Sequence, residues 1–149
     1  ADGREIAVLG WVAYSSEADM VLLRAALPEM MPPLPLAKES PGVGMSVHTI
    51  YRSTADSISV VHGTVTDRYR TANDTQYIQT SAGVGFSHRG GVVAVAQRNV
   101  VAMSTAPSFD QNDSRAIDLH HLATLLNNRM SEPRRLADLP QLGSEFAQP

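Results

Sequence analysis

Apolar positions in this chain cluster most clearly in VVAVAQRNVVAMST (92–105), where two Val-rich runs flank Gln-Arg-Asn with almost no other polar residue. Runs 92–96 and 100–104 are apolar on both faces, the pattern of strands covered on two sides. Asn99 tolerates the left-handed backbone that a two-residue turn demands, so the pattern predicts a hairpin with Arg98 and Asn99 at its tip. A structural role for that joint outweighs a ligand contact.

Other strands are predicted over EIAVLGWVAYS (5–15, with an irregularity at Gly10), MSVHTIYRS (45–53), SISVVHGTVTDRY (57–69) and TQYIQTSAGVGFS (75–87). Each is rich in β-branched or aromatic residues, and short turn-forming joints make the last three an antiparallel meander. The glycines of GVGM and GVGFSHRGG read as turn and bulge residues. Two helices are predicted. In the first, Ser15 or Ser16 caps the chain, Glu17 and Asp19 place negative charge in the first turn, and Met20, Leu23, Leu27 and Met30 form a buried face. In the second, over 113–130, Asp113 or Ser114 caps and Ala116, Leu119, Leu122, Ala123, Leu126 and Met130 line one side. Pro28 and Pro133 limit the two.

The expected fold class is therefore α+β: an antiparallel β-sheet of about five to six strands packed by two helices. At 149 residues the chain is expected to form one domain over 1–149. Residues 28–44, with five prolines and two glycines, form a long connection that sustains neither helix nor central strand. Residues 131–149 form an extended tail in which Leu136, Leu139 and Leu142 can dock.

Composition narrows the function classes. Net charge is −3 with the charges scattered, so there is no electrostatic footprint for nucleic acid. Of the twelve basic residues all but Lys38 are arginines, without a cluster that would mark an anion site. The absence of cysteine excludes disulfides, thiolate metal sites and a cysteine nucleophile. No apolar stretch approaches the roughly 20 residues of a membrane span, and residues 1–11 are no signal peptide, so any targeting segment would lie outside this sequence.

Candidate chemistry is sparse. Five histidines occur: His48, His62, His88, His120 and His121. Adjacent His120 and His121 diverge on a helix and read as boundary residues, and no His-x-x-x-His zinc signature is present. His48 and His62 could meet only if their strands align them. Asp56, Asp67, Asp74 and Asp110 fall at expected turns. There is no Gly-x-Ser-x-Gly elbow, phosphate loop or dinucleotide fingerprint, and no motif calls for a cofactor.

The order AVAQRNVVAMSTAP, an acidic loop and a helix ending LATLLNNRM resembles the extracellular sensor domains of mycobacterial receptor serine/threonine kinases and related lipoproteins. WVAYSSEADMVLLRAALP is similar to their aromatic strand followed by a helix. That resemblance covers about half the chain. It implies a sheet packed by two helices, a ligand cleft, no catalysis by the domain and an extracytoplasmic location; a cytoplasmic one stays open, since members typically carry disulfides.

The leading expectation is thus an extracytoplasmic ligand-binding or sensing module without catalysis, using a groove between the sheet and residues 28–44. Its partner would be a small molecule, a cell-envelope component or a protein. Trp11, Tyr14, Tyr51, Arg52, Arg68 and Tyr69 are the candidate lining residues, because amphipathic aromatics and Arg dominate recognition surfaces. Two alternatives stand beside it. One is a small hydrolase or metal-dependent enzyme using His48 or His62 with an acid such as Asp67; the other is a domain that self-associates through a sheet face or edge.

Overall fold

The structure is a computed structural model that describes residues 5–52, 57–72, 74–83, 90–96, 99–105 and 114–140. The chain divides into two compact units, one of residues 33–122 and one of residues 1–32 with 123–149.

The first unit is a closed barrel of six antiparallel strands: β3 (Ser46–Arg52), β4 (Ile58–Arg70), β5 (Gln76–Thr80), β6 (Val92–Ala94), β7 (Val100–Ser104) and β8 (Ser114–Asp118). The order around the barrel is β3-β4-β5-β8-β7-β6, and β6 pairs back onto β3 through His48↔Ala94 and Ile50↔Val92. Period-2 alternation turns Val47 and Thr49 of β3, Val65 of β4, and Ile78 and Thr80 of β5 inward, where all are fully buried. With Val93, Ala102 and Ala116 they fill the lumen, so the barrel is a packed core and not a channel. At Gly63 the wall comes so close to the chain at Ala82 that a Cβ would lie 2.3 Å from the Ala82 nitrogen.

The second unit is built on a hairpin of β1 (Val8–Ser15) and β2 (Met20–Ala25). A lone hairpin is marginal in water. Here the segment around Arg134 adds an isolated antiparallel β-bridge: Trp11 and Arg134 exchange both backbone hydrogen bonds at 2.9 Å, and the Met130 N–H donates to the Val12 carbonyl. The irregularity expected at Gly10 is a register shift, and its φ of +149° brings the Arg134 carbonyl within 2.2 Å of where a Cβ would stand.

Several expectations are corrected. A sheet packed by two helices is replaced by a closed barrel, a separate hairpin and a single α-helix among the described residues, α1 (Leu119–Asn127). The region read as the first helix is a turn followed by β2. Ser15 does act as a cap, but of a turn, with its Oγ accepting the Ala18 N–H at 3.2 Å. Asp19 takes a left-handed φ of 49°, which reverses the chain. Strand alternation then buries Met20 and leaves Leu23 exposed at 43%, and Leu27, past the end of β2, is 59% exposed, where a helical face would have buried all three.

The second helix begins later than expected. Residues 114–118 are β8, paired with β5 on one side and β7 on the other, and only then does the chain enter α1. Asp118 caps the helix, its Oδ1 accepting the His120 N–H at 3.0 Å. The Val-rich hairpin is therefore neighboured by a strand, where a roofing helix was expected. The hairpin itself is present, with Val92↔Met103 and Val93↔Ala102 paired, but its tip at Arg98 lies outside the described residues. So do Asp56, Asp110, Asp113, Leu142 and residues 84–89 of GVGFSHRGG, His88 among them.

Candidate functional site

The junction of β8 and α1 brings Asp118 and His120 together with Ser40 and Arg68. Asp118 is 1% exposed and makes four polar contacts with three residues. Its Oδ1 accepts the His120 backbone N–H, the His120 Nδ1 at 2.7 Å and the Ser40 hydroxyl at 2.8 Å, while Oδ2 faces an Arg68 guanidinium nitrogen at 4.0 Å. Burial pushes the Asp118 carboxyl up, but the hydrogen bonds from His120 and Ser40 and the charge of His120 outweigh it and hold the group below the usual Asp value. The carboxylate is thus ionised at neutral pH. It can only accept, so His120 Nδ1 carries the proton.

Ser, His and Asp together invite comparison with a hydrolase triad, and the geometry argues against it. In a triad the carboxylate and the hydroxyl address different ring nitrogens of the base. Here both Asp118 and Ser40 meet the same atom, His120 Nδ1, with the Ser40 Oγ 3.1 Å away. The Ser40 proton goes to the carboxylate, so the imidazole does not activate this hydroxyl. The cluster ties the connection at Ser40 to the start of α1.

Beside it opens a cleft of about 260 Å3 lined by Arg68, Tyr69, Arg70, Gln76, Tyr77 and Asp118. Tyr69 and Tyr77 are cross-strand partners whose rings stack at 5.5 Å, and the Arg115 guanidinium lies 5.0 Å from the Tyr77 ring centre. Arg70 is paired with Asp74 at 2.7 Å, and the Gln76 N–H donates to His121 Nε2. Arginine and aromatic surface around a buried carboxylate makes a polar recognition surface, with no serine, threonine or cysteine among its lining groups.

Of the six candidate lining residues, only Arg68 and Tyr69 line this cleft. Trp11 is buried in the hairpin unit, where its Nε1–H donates to the Arg135 carbonyl at 3.0 Å and its ring meets Tyr14 edge-on at 5.6 Å. Tyr14 lines a small cleft of about 80 Å3 with Asp19, Met20, Val21, Leu139 and Pro140. Tyr51 and Arg52 end β3, opposite Ser59 and Ile58. The groove expected beside residues 28–44 is filled by the connection itself: the Ala37 N–H donates to the Val100 carbonyl, and the Val100 N–H to that of Pro35.

Sequence reasoning missed Tyr77, Asp118 and Ser40. Asp118 falls mid-helix in the expected helix over 113–130, whereas it ends β8. The alignment of His48 with His62, left open by the sequence, is realised: they are cross-strand partners with Nδ1 atoms 2.7 Å apart. Among the described residues no carboxylate completes a group of three ionisable ligands with them, and Asp67 Oδ1 instead accepts the Arg68 N–H.

No protein-family model matches the chain, and neither does any curated protein. Solved structures do. The Rv3671c protease from M. tuberculosis in its active form matches with a TM-score of 0.78 at 16% identity, over 91% of this chain and 63% of that one. The HtrA-type protease AlgW, as a serine-to-alanine variant with a tripeptide, matches with a TM-score of 0.73 at 21% identity, over 85% of this chain and 44% of that one. A serine endoprotease from Yersinia pestis matches with a TM-score of 0.65 at 17% identity, over 82% and 43%.

The fold of this chain is similar to that of these three protease structures. The chain spans less than two thirds of the length of these three neighbours. This overturns the expectation of an α+β sensing or binding module without catalysis. It also removes self-association through a sheet edge of the barrel, because a closed barrel has none. No helix among the described residues is long and apolar enough to cross a membrane.

Proposed function

We propose that the protein is a serine-protease-type hydrolase of the HtrA-like kind that cleaves polypeptide substrates outside the cytoplasm. One observation carries the reading: the path of this chain follows the active form of a protease over 91% of its length with a TM-score of 0.78. A fold hosts many chemistries, so the step from fold to reaction is an analogy. The extracytoplasmic location is carried over from the sequence analysis as part of this proposal.

On this reading the six-stranded barrel is the rigid support, and the peptide bond is opened by an activated serine through an acyl-enzyme intermediate. That serine is not Ser40, whose hydroxyl proton is held by the Asp118 carboxylate. The Arg68–Tyr69–Tyr77 cleft supplies a surface for polar or aromatic side chains of the substrate.

The test is proteolysis of a permanently unfolded polypeptide, reduced and alkylated casein, by the full-length protein. Cleavage abolished by a serine-directed phosphonate supports the reading. A folded protein that leaves the substrate intact across neutral and alkaline pH overturns it.

A further inference from the structure

On the barrel wall away from the cleft, two imidazoles meet. His48 on β3 and His62 on β4 are direct cross-strand partners, so the pleat sends both side chains to one face. It is the outer face, because the residues flanking His48, Val47 and Thr49, point into the core. The rings lie edge to face with centroids 4.6 Å apart, and their Nδ1 atoms are 2.7 Å apart. Two ring nitrogens at that separation need one donor and one acceptor, so at least one Nδ1 presents a lone pair.

Among the described residues the two Nδ1 atoms are each other's hydrogen-bond partner. The adjoining cross-strand pairs are Ser46↔Thr64 and Ile50↔Val60, and across from His48 on β6 stands Ala94. None carries a charge. His120 and His121 differ in this respect, since His120 Nδ1 is held by Asp118 and His121 Nε2 by the Gln76 N–H.

We propose that His48 and His62 form a two-imidazole chelate for a late first-row divalent cation, with Cu2+ preferred over Ni2+ and Zn2+ and water completing the shell. Imidazole nitrogens bound cis to such an ion at about 2.0–2.1 Å lie roughly 2.9–3.4 Å apart, a few tenths of an ångström beyond the observed separation. Small ring rotations on an outer face supply that opening. The donor ring shifts its proton from Nδ1 to Nε2 by exchange with solvent, so both rings stay neutral and both Nδ1 lone pairs face the ion. Neutral nitrogen ligands select copper, nickel and zinc over magnesium and calcium, which require oxygen. The strand pairing fixes the spacing in advance, which favours chelation over two independent histidines.

The test is titration of the full chain with CuCl2, NiCl2 and ZnCl2 in a non-chelating buffer, by calorimetry and by the histidine ring resonances. One ion should bind per chain, in the order Cu2+ first, with paramagnetic broadening confined to His48 and His62. His62→Gln and His48→Gln should each weaken Cu2+ binding about tenfold or more, while His121→Gln leaves it unchanged. Undiminished Cu2+ binding in folded His62→Gln, broadening centred on other histidines, or no saturable binding would each overturn the proposal. His48→Gln gives an independent reading if His62→Gln fails to fold.

Discussion

Trp11 and Arg134 are joined twice through their backbones, each N–H donating to the other's carbonyl at 2.9 Å, although 122 positions of sequence separate them. Gly10 makes that approach possible. A Cβ at position 10 would lie 2.2 Å from the Arg134 carbonyl oxygen, and the φ of +149° is one that side-chain-bearing residues rarely adopt. Gly10→Ala is therefore expected to destabilise the hairpin unit by about 2 kcal/mol or more. Trp11 is the sole tryptophan, so its fluorescence in a urea titration reads this unit directly.

Gly63→Ala tests the barrel in the same way. The added Cβ would stand 2.3 Å from the Ala82 nitrogen and 2.8 Å from both the Ala82 Cα and the Ser81 carbonyl carbon. Those are backbone atoms of a packed wall and cannot swing aside. A loss of about 1–3 kcal/mol is expected, measured as a fall in the midpoint of far-ultraviolet circular dichroism on heating. An unchanged midpoint would mean that the strands do not approach as described.

Asp118→Asn should cost about 1–3 kcal/mol at neutral pH, because a buried acceptor of three hydrogen bonds loses its charge. The pH dependence has a definite sign. The Asp118 carboxyl titrates lower in the folded protein than in the unfolded chain, so its contribution is fully present above the ordinary value of 3.8 and is lost as pH falls through and below it. Urea titrations at pH 7 and pH 3 should show a gap between wild type and Asp118→Asn that narrows at the lower pH. A gap of constant size would contradict the assignment.

The legible parts of the fold were those whose evidence is local. β3, β4, β6 and β7 are marked by Val, Ile, Thr and Tyr in runs bounded by polar joints, and the expected runs contain the observed strands or nearly do. β2 and β8 were hidden because the same residues fit two periods. Ser15, Glu17 and Asp19 begin a helix or make a turn equally well, and Ala116 and Leu119 can sit on a helical face or on either side of a strand-to-helix joint. What decides is pairing over long sequence distances: Trp11 with Leu23, Tyr77 with Ile117, and Ile50 with Val92. Barrel closure lives on that last pairing and leaves no local mark. For the same reason Arg68 and Tyr69 could be named, whereas their cleft partners Tyr77 and Asp118 could not.

Tyr77→Ala should remove both the stack on Tyr69 and the seat of the Arg115 guanidinium. Each such contact contributes about 0.5–1.5 kcal/mol, so a measurable loss of stability is expected from chemical unfolding. Under the proposed hydrolase reading it should also raise KM for polypeptide with a smaller change in kcat, as loss of a binding surface does. Equal loss in both would place Tyr77 nearer to the chemistry than the cleft geometry does.

The most direct measurement is the intact mass of the full-length folded protein after exposure to a fluorophosphonate, followed by mapping of the modified peptide. A serine-protease-type hydrolase takes up one phosphonyl group on a single serine other than Ser40, and prior heat denaturation abolishes the adduct. A folded protein that acquires no adduct on any serine, under conditions in which a control serine hydrolase is fully labelled, would contradict the account.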